Sequence, residues 1–121
     1  EISDAAKPSG AAERMAFEAT EGNFIQYQGT IEGSGVDFYF NIDKELFLCE
    51  TIIEGKPAKM AGDLKKKENE PGVYLCSPVW GIDPFENDEE KWNDASSEEV
   101  KEFDLSKEEV DFEGAVLKRV N

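Results

Sequence analysis

Apolar and polar residues alternate with a period of two through most of the chain from residue 17 to residue 77. Such a period is typical of β-strands that bury one face. The clearest run predicts a core face of Val36, Phe38, Phe40 and Ile42 and an opposite face of Asp37, Tyr39, Asn41 and Asp43. The two glycines of Gly33-Ser34-Gly35, just before this run, predict a β-hairpin loop.

The next segment, Leu46–Ile53, is apolar on both faces and is therefore expected at the centre of the sheet. A turn at Glu54-Gly55-Lys56-Pro57 leads to a weaker strand, Ala58–Leu64, and a charged loop separates that strand from Val73–Ser77. Pro78, Gly81 and Pro84 predict irregular structure over Pro78–Phe85.

Two serine-glutamate pairs with capping-box spacing, Ser96 with Glu99 and Ser106 with Glu109, favour one short helix near Ser97–Phe103. Residues 110–120 alternate again and predict a final strand. The fold class expected is mainly β, an antiparallel sheet or small open barrel with one short C-terminal helix, and an α+β fold is the alternative.

Residues 1–15 are small and polar, which predicts a flexible tether ahead of a single domain at 16–121. A start at Glu1 rather than Met indicates either a processed precursor or an artificial boundary, and both origins of the tether stay open. A lipid anchor upstream is compatible with this arrangement. No apolar run reaches the length of a transmembrane helix, so we expect no membrane-spanning segment.

The two cysteines, Cys49 and Cys76, both lie in strand-like runs, and we expect them to form a disulfide. Such a bond would indicate an oxidising compartment, the periplasm or the cell exterior. Two buried thiols are the alternative.

The formal net charge of −15 is concentrated between residues 83 and 113. This charge disfavours nucleic acid and anionic membranes, and it favours either a basic protein partner or a cation. A purely solubilising role is the alternative.

The chain contains no histidine and no phosphate-binding or dinucleotide-binding glycine motif, so we expect no enzymatic activity. No cofactor is predicted apart from calcium, for which Asp83, Asp88 and Asp94 are the candidate ligands. Their spacing does not match an EF-hand loop.

Aromatic side chains interleaved with acidic ones between Trp80 and Trp92 have the composition of a protein recognition surface. The residues predicted to bind the partner are Trp80, Asp83, Phe85, Glu86, Asp88, Glu89, Glu90 and Trp92. Packing of the two tryptophans against the sheet as core is the alternative.

Small size, acidic loops and the expected disulfide together resemble periplasmic inhibitors and immunity proteins that neutralise secreted cell-wall hydrolases. The resemblance implies that the acidic loops block the groove of a basic enzyme. We expect the chain to be a monomer when it is free. Two further functions stay open: a calcium-binding module, and a small-ligand carrier whose β-barrel cavity is lined by Phe38, Phe40 and their neighbours.

Overall fold

The chain folds into one helix and nine strands within residues 8–85 and 91–121, the parts that the computed structural model describes. The elements are α1 Pro8–Ala19, β1 Ile25–Ile31, β2 Ser34–Asn41, β3 Leu46–Ile53, β4 Lys56–Lys66, β5 Val73–Ile82, β6 Asn93–Asp94, β7 Lys101–Asp104, β8 Glu109–Phe112 and β9 Ala115–Arg119.

The strands form a single antiparallel sheet in the order β6-β5-β4-β3-β2-β1-β9-β8, and β7 also pairs with β5. Strands β1 to β5 follow one another as hairpins, and β9 returns to pair with β1. The prediction of a mainly β fold with one helix is confirmed.

The sheet curls around an aromatic core on its inner face. Phe38 of β2 contacts Phe103 of β7 and Phe112 of β8, with ring centroids 5.1 and 4.8 Å apart. Strands β7 and β8 belong to opposite ends of the strand order, so these contacts require strong curvature. The sheet is thus open, with its two ends drawn together over β2.

Helix α1 covers the outer face of the sheet. Its buried residues Ala12 and Ala19 pack in one cluster with Leu48 of β3 and Ala61 of β4. The prediction of a flexible tether is wrong for residues 8–15, which are helical. Apolar residues at helical spacing from Ala12 to Ala19 form the buried face of α1. Most of them are alanine, so the helical periodicity was not recognised in the sequence.

The position predicted for the helix, Ser97–Phe103, is wrong. Residues Lys101–Asp104 form β7, which pairs with β5. The serine hydroxyls do not cap a helix: Ser96 Oγ donates to Asp94 Oδ1 at 2.6 Å, and Ser106 Oγ donates to Asp104 Oδ1. An aspartate two residues earlier competes for each serine, and local turns result.

The irregular segment predicted at Pro78–Phe85 is instead largely strand, since β5 continues to Ile82. Pro78 has no amide hydrogen, and the register of β4 against β5 shifts between Ala61 and Gly62, opposite this proline. A bulge therefore lets the strand pass a residue that normally interrupts it.

The predicted register of β2 is correct for Val36, Phe38 and Phe40 but wrong at its end. Ile42 is 38% exposed, whereas Asn41 is 1% exposed. The strand ends at Asn41, so the alternation does not extend to the next residue.

The predicted disulfide is wrong, because Cys49 and Cys76 are both free thiols. Cys49 lies on β3 and Cys76 on β5, and β4 runs between these two strands. Strands two places apart in a sheet are separated by about 10 Å, which exceeds the Cα separation that a disulfide spans.

Candidate functional site

One end of the curled sheet forms an open groove, which we call the mouth groove. Up-and-down connectivity brings the β1–β2, β3–β4 and β8–β9 turns to this end, together with the residues that follow β5. The groove has a volume of about 820 Å³. Its apolar lining includes Val36, Cys49, Met60, Ile82 and Phe112.

The three hairpin turns at the mouth all have the same two-residue sequence, Glu-Gly. Strand pairing closes directly around Glu32-Gly33, Glu54-Gly55 and Glu113-Gly114. The glutamates have φ values of 50°, 51° and 48°, and each following glycine is also positive in φ. Two consecutive residues with positive φ define the type I′ turn, which matches the twist of the flanking strands.

Glutamate is an unusual residue for the first position of such a turn. Asn, Asp and Gly tolerate positive φ best, whereas longer side chains are strained there. All three turn glutamates line the mouth groove. Backbone strain is concentrated at functional sites in many proteins, so this repeated choice favours a role for the three carboxylates.

The rim of the groove is strongly acidic. Among the residues that the structure describes, six carboxylates and one ammonium group line it: Glu32, Glu54, Asp83, Asp94, Glu98, Glu113 and Lys59. The ammonium group of Lys59 lies 3.5 Å from Glu50 Oε2, so part of its charge is already compensated. The rim therefore attracts positively charged groups.

Two of the residues predicted to bind a partner lie at this rim. Asp83 and Phe85 both line the groove, and the Phe85 backbone N–H donates to Asp83 Oδ1 at 2.8 Å. The Phe85 side chain is 65% exposed. Four other predicted residues, Glu86, Asp88, Glu89 and Glu90, lie outside the described residues.

The two tryptophans lie elsewhere. Trp92 is 6% exposed and packs in the cluster beneath α1, and the partly buried Trp80 packs against the same cluster. Burial of Trp92 corrects its predicted role as an exposed anchor and supports the alternative that it is core. Phe85 is the large exposed aromatic residue at the mouth.

The candidate calcium ligands make local hydrogen bonds. Asp83 Oδ1 accepts from the Phe85 amide, and Asp94 Oδ1 accepts from the amide and hydroxyl of Ser96 at 2.8 and 2.6 Å. The hydrogen bonds from Ser96 hold the pKa of Asp94 below its usual range. Asp88 lies outside the described residues, and residues 8–85 and 91–121 contain no metal-compatible group of three acidic or thiol side chains. Calcium binding stays a prediction.

Four rim carboxylates were not predicted from the sequence: Glu32, Glu54, Glu98 and Glu113. The Glu-Gly pair occurs four times in the sequence, and three of these pairs lie between strands and were a usable signal. Only the antiparallel topology shows that all three pairs lie at one end of the sheet.

No protein-family model, no curated protein and no solved structure matches this chain. Within the part of the chain that the structure describes, no helix combines the length and the apolar character needed to cross a bilayer. The resemblance to inhibitor and immunity proteins stays one of size, charge and composition.

Proposed function

We propose that this protein binds a basic protein partner through the mouth groove. The observation that carries the proposal is the set of three Glu-Gly turns, which place strained glutamates around an apolar floor at one end of the sheet. Lysine or arginine side chains of the partner lie at the carboxylate rim, and a neighbouring apolar side chain packs on the floor.

Charge and apolar contact have separate roles in this proposal. The excess of carboxylates accelerates encounter with a positive partner, and salt weakens that effect. Affinity comes mainly from desolvated apolar contacts near the centre of an interface. Phe85, beside the groove and 65% exposed, supplies such a contact.

The consequence proposed for the partner is inhibition. A secreted cell-wall hydrolase with a basic substrate cleft is the partner class that the resemblance implies, and the acidic rim of the mouth groove, bound over that cleft, would exclude substrate. The argument for an oxidising compartment depended on a disulfide that is absent. Periplasmic or extracellular location is proposed from the resemblance alone.

The binding test uses an immobilised peptide of alternating lysine and leucine, measured by surface plasmon resonance at low and high salt. The combined Glu32→Asn, Glu54→Asn and Glu113→Asn variant should associate more slowly than the parent and show a flatter salt dependence. Asn suits the same backbone conformation, so the turns are retained.

Glu45→Asn is the matched control, because Glu45 also has positive φ, 57°, but lies at the opposite end of the sheet. It removes one charge without touching the rim and should bind with nearly unchanged rates. Equal rates for the triple variant and the parent would contradict the proposal. A lysine-serine peptide, which lacks apolar side chains, tests whether apolar contacts are required. A glutamate-leucine peptide, which lacks positive charge, tests whether ionic contacts are required.

Inhibition is tested separately with lysozyme, a basic cell-wall hydrolase, by the clearing of a cell-wall suspension. The parent protein should slow clearing, and the triple variant should do so less. Clearing at the uninhibited rate would remove this hydrolase as a partner, while the peptide result decides on the groove itself.

A further inference from the structure

A second, smaller cavity lies inside the curled sheet and adjoins the mouth groove. Its volume is about 190 Å³, and we call it the inner cavity. It shares with the groove the residues Cys49, Met60, Glu98, Phe112 and Glu113. Its further lining is Phe38, Phe47, Cys76, Pro78, Glu99 and Lys101.

The floor of the inner cavity is apolar and uncharged. Phe38, Phe47 and Cys76 are buried, with 3%, 1% and 1% exposure. Burial raises the pKa of Cys49 to about 12 and also raises the pKa of Cys76, so both thiols are neutral at physiological pH. An apolar cavity of about 150 Å³ can stay dry and bind a benzene-sized molecule. The inner cavity is therefore large enough for a short hydrocarbon chain.

The outer side of the inner cavity is acidic. Glu98, Glu99 and Glu113 are exposed there. Lys101, the one cation among the described lining residues, lies 3.3 Å from Glu99. Glu98 and Glu113 also line the mouth groove, so they stand where the two spaces meet. A negative head group would be repelled at this position, and a positive one would be attracted.

We infer that the inner cavity binds a small cationic amphiphile, with its hydrocarbon tail on the Phe38–Phe47–Cys76 floor and its ammonium head near Glu98 and Glu113. The acidic rim attracts a positive head group and repels a carboxylate, and the apolar floor suits a hydrocarbon tail. A cationic amphiphile should therefore bind in preference to a fatty acid. The inference goes beyond the proposed function, because the ligand is a small molecule and its tail occupies a different space.

The two methionines provide a direct test. Met60 lines both the inner cavity and the mouth groove, which the Cys76→Leu variant described below distinguishes, whereas Met15, a residue of α1, packs on the outer face. With ¹³C-methyl methionine, NMR titration with hexyltrimethylammonium should shift the Met60 signal and leave Met15 unchanged. Tetramethylammonium, which has the head alone, and hexanoate, which has the opposite charge, should shift Met60 at least tenfold less at the same concentration. An unmoved Met60 signal, or equal binding of hexanoate, overturns the inference.

Two variants separate the head from the tail. Combined Glu98→Gln and Glu113→Gln should weaken hexyltrimethylammonium binding by about threefold to tenfold, the range of exposed ion pairs, while Glu45→Gln should not. Cys76→Leu fills the floor and should abolish the Met60 shift; an unchanged Met15 signal shows that this variant is folded. Glu98 and Glu113 are exposed, so their glutamine variants should fold normally. They still test the role of the head group if Cys76→Leu does not fold.

Cys76 lines the inner cavity but not the mouth groove, which makes the two proposals separable. The Cys76→Leu variant should no longer bind hexyltrimethylammonium but should still bind the lysine-leucine peptide. Peptide binding without any Met60 response to hexyltrimethylammonium would overturn only the inner cavity. The reverse result would overturn only the proposed function.

Discussion

The Nδ2 atom of Asn41, at the end of β2, lies 2.8 Å from the carbonyl oxygen of Glu21, just beyond helix α1. The same amide donates to the Glu18 carbonyl oxygen at 3.1 Å, and Asn41 Oδ1 accepts from the Lys44 amide at 3.0 Å. A single buried side chain thus satisfies carbonyl groups at the helix end and fixes the β2–β3 turn.

Asn41→Ala should lower the free energy of unfolding by about 2 to 3 kcal/mol, because buried backbone groups lose their partners. The alternation in the sequence placed Asn41 on the face opposite the core, where a truncation would have little effect. Urea unfolding measures the difference, with the exposed turn residue Asp43→Ala as a control expected within about 0.5 kcal/mol of the parent. Equal midpoints for the two variants would show that the side-chain hydrogen bonds contribute nothing.

Phe40→Ala should destabilise the protein by about 3 to 5 kcal/mol, since the ring is fully buried and packs edge-to-face on Tyr27. Ile42→Ala, two residues along, should cost about 1 kcal/mol or less because that side chain is outside the core. Thermal melts of both variants test the observed end of the strand. Similar losses would mean that the alternation continues past Asn41.

The two free thiols should make the free energy of unfolding depend on pH in the alkaline range. Burial favours the neutral thiol and raises the pKa of Cys49 to about 12, above the usual value that it regains on unfolding. A raised pKa in the folded state gives stability that is complete below the unfolded pKa and is lost as pH rises toward the folded value. Unfolding free energy should therefore fall between about pH 9 and pH 12, and less steeply in Cys49→Val.

Thiol titration checks the redox state on its own. The unreduced, unfolded protein should show two reactive thiols, and the native protein should react more slowly because both thiols are neutral and Cys76 is also buried. If no free thiol were found after unfolding, the two cysteines would be joined by a disulfide, and the conclusion drawn from the strand order would be wrong.

Glu32→Asn, Glu54→Asn and Glu113→Asn should each stabilise the protein, by roughly 0.5 to 1 kcal/mol, because Asn accepts positive φ with less strain. Glu45→Asn should gain a similar amount for the same reason. Chemical unfolding gives these values. If the strain is retained for binding, the three mouth variants should gain stability and also associate more slowly with the peptide, whereas Glu45→Asn should gain stability alone. A loss of stability in the mouth variants would contradict the strain argument.

Trp92→Ala and Phe85→Ala should have opposite effects. Trp92 is buried beneath α1, so its truncation should cost about 3 to 5 kcal/mol of stability. Phe85 is exposed at the mouth, so its truncation should leave the melting temperature nearly unchanged and speed dissociation from the lysine-leucine peptide. Interchanged results would return the anchor role to the tryptophan.

Most of the sheet could be predicted from the sequence, because period-two alternation is a local property of a strand with one buried face. That reasoning placed Val36, Phe38 and Phe40 in the core, and β3 near the middle of the strand order. Of the residues predicted to bind a partner, Asp83 and Phe85 line the mouth groove; their role in binding stays a prediction. Sequence reasoning failed at the predicted helix, because residues 101–104 pair with β5 as β7 and the Ser96 hydroxyl donates to Asp94 in a local turn.

Only the tertiary structure decided which distant residues share a surface. Cys49 and Cys76 follow from the sequence as strand residues, but the insertion of β4 between their strands keeps them apart. Glu32, Glu54 and Glu113 are far apart along the chain, and antiparallel connectivity gathers them at one mouth. Side-chain alternation is set by neighbours in sequence, whereas strand order and the end at which each turn lies depend on the folding of the whole sheet.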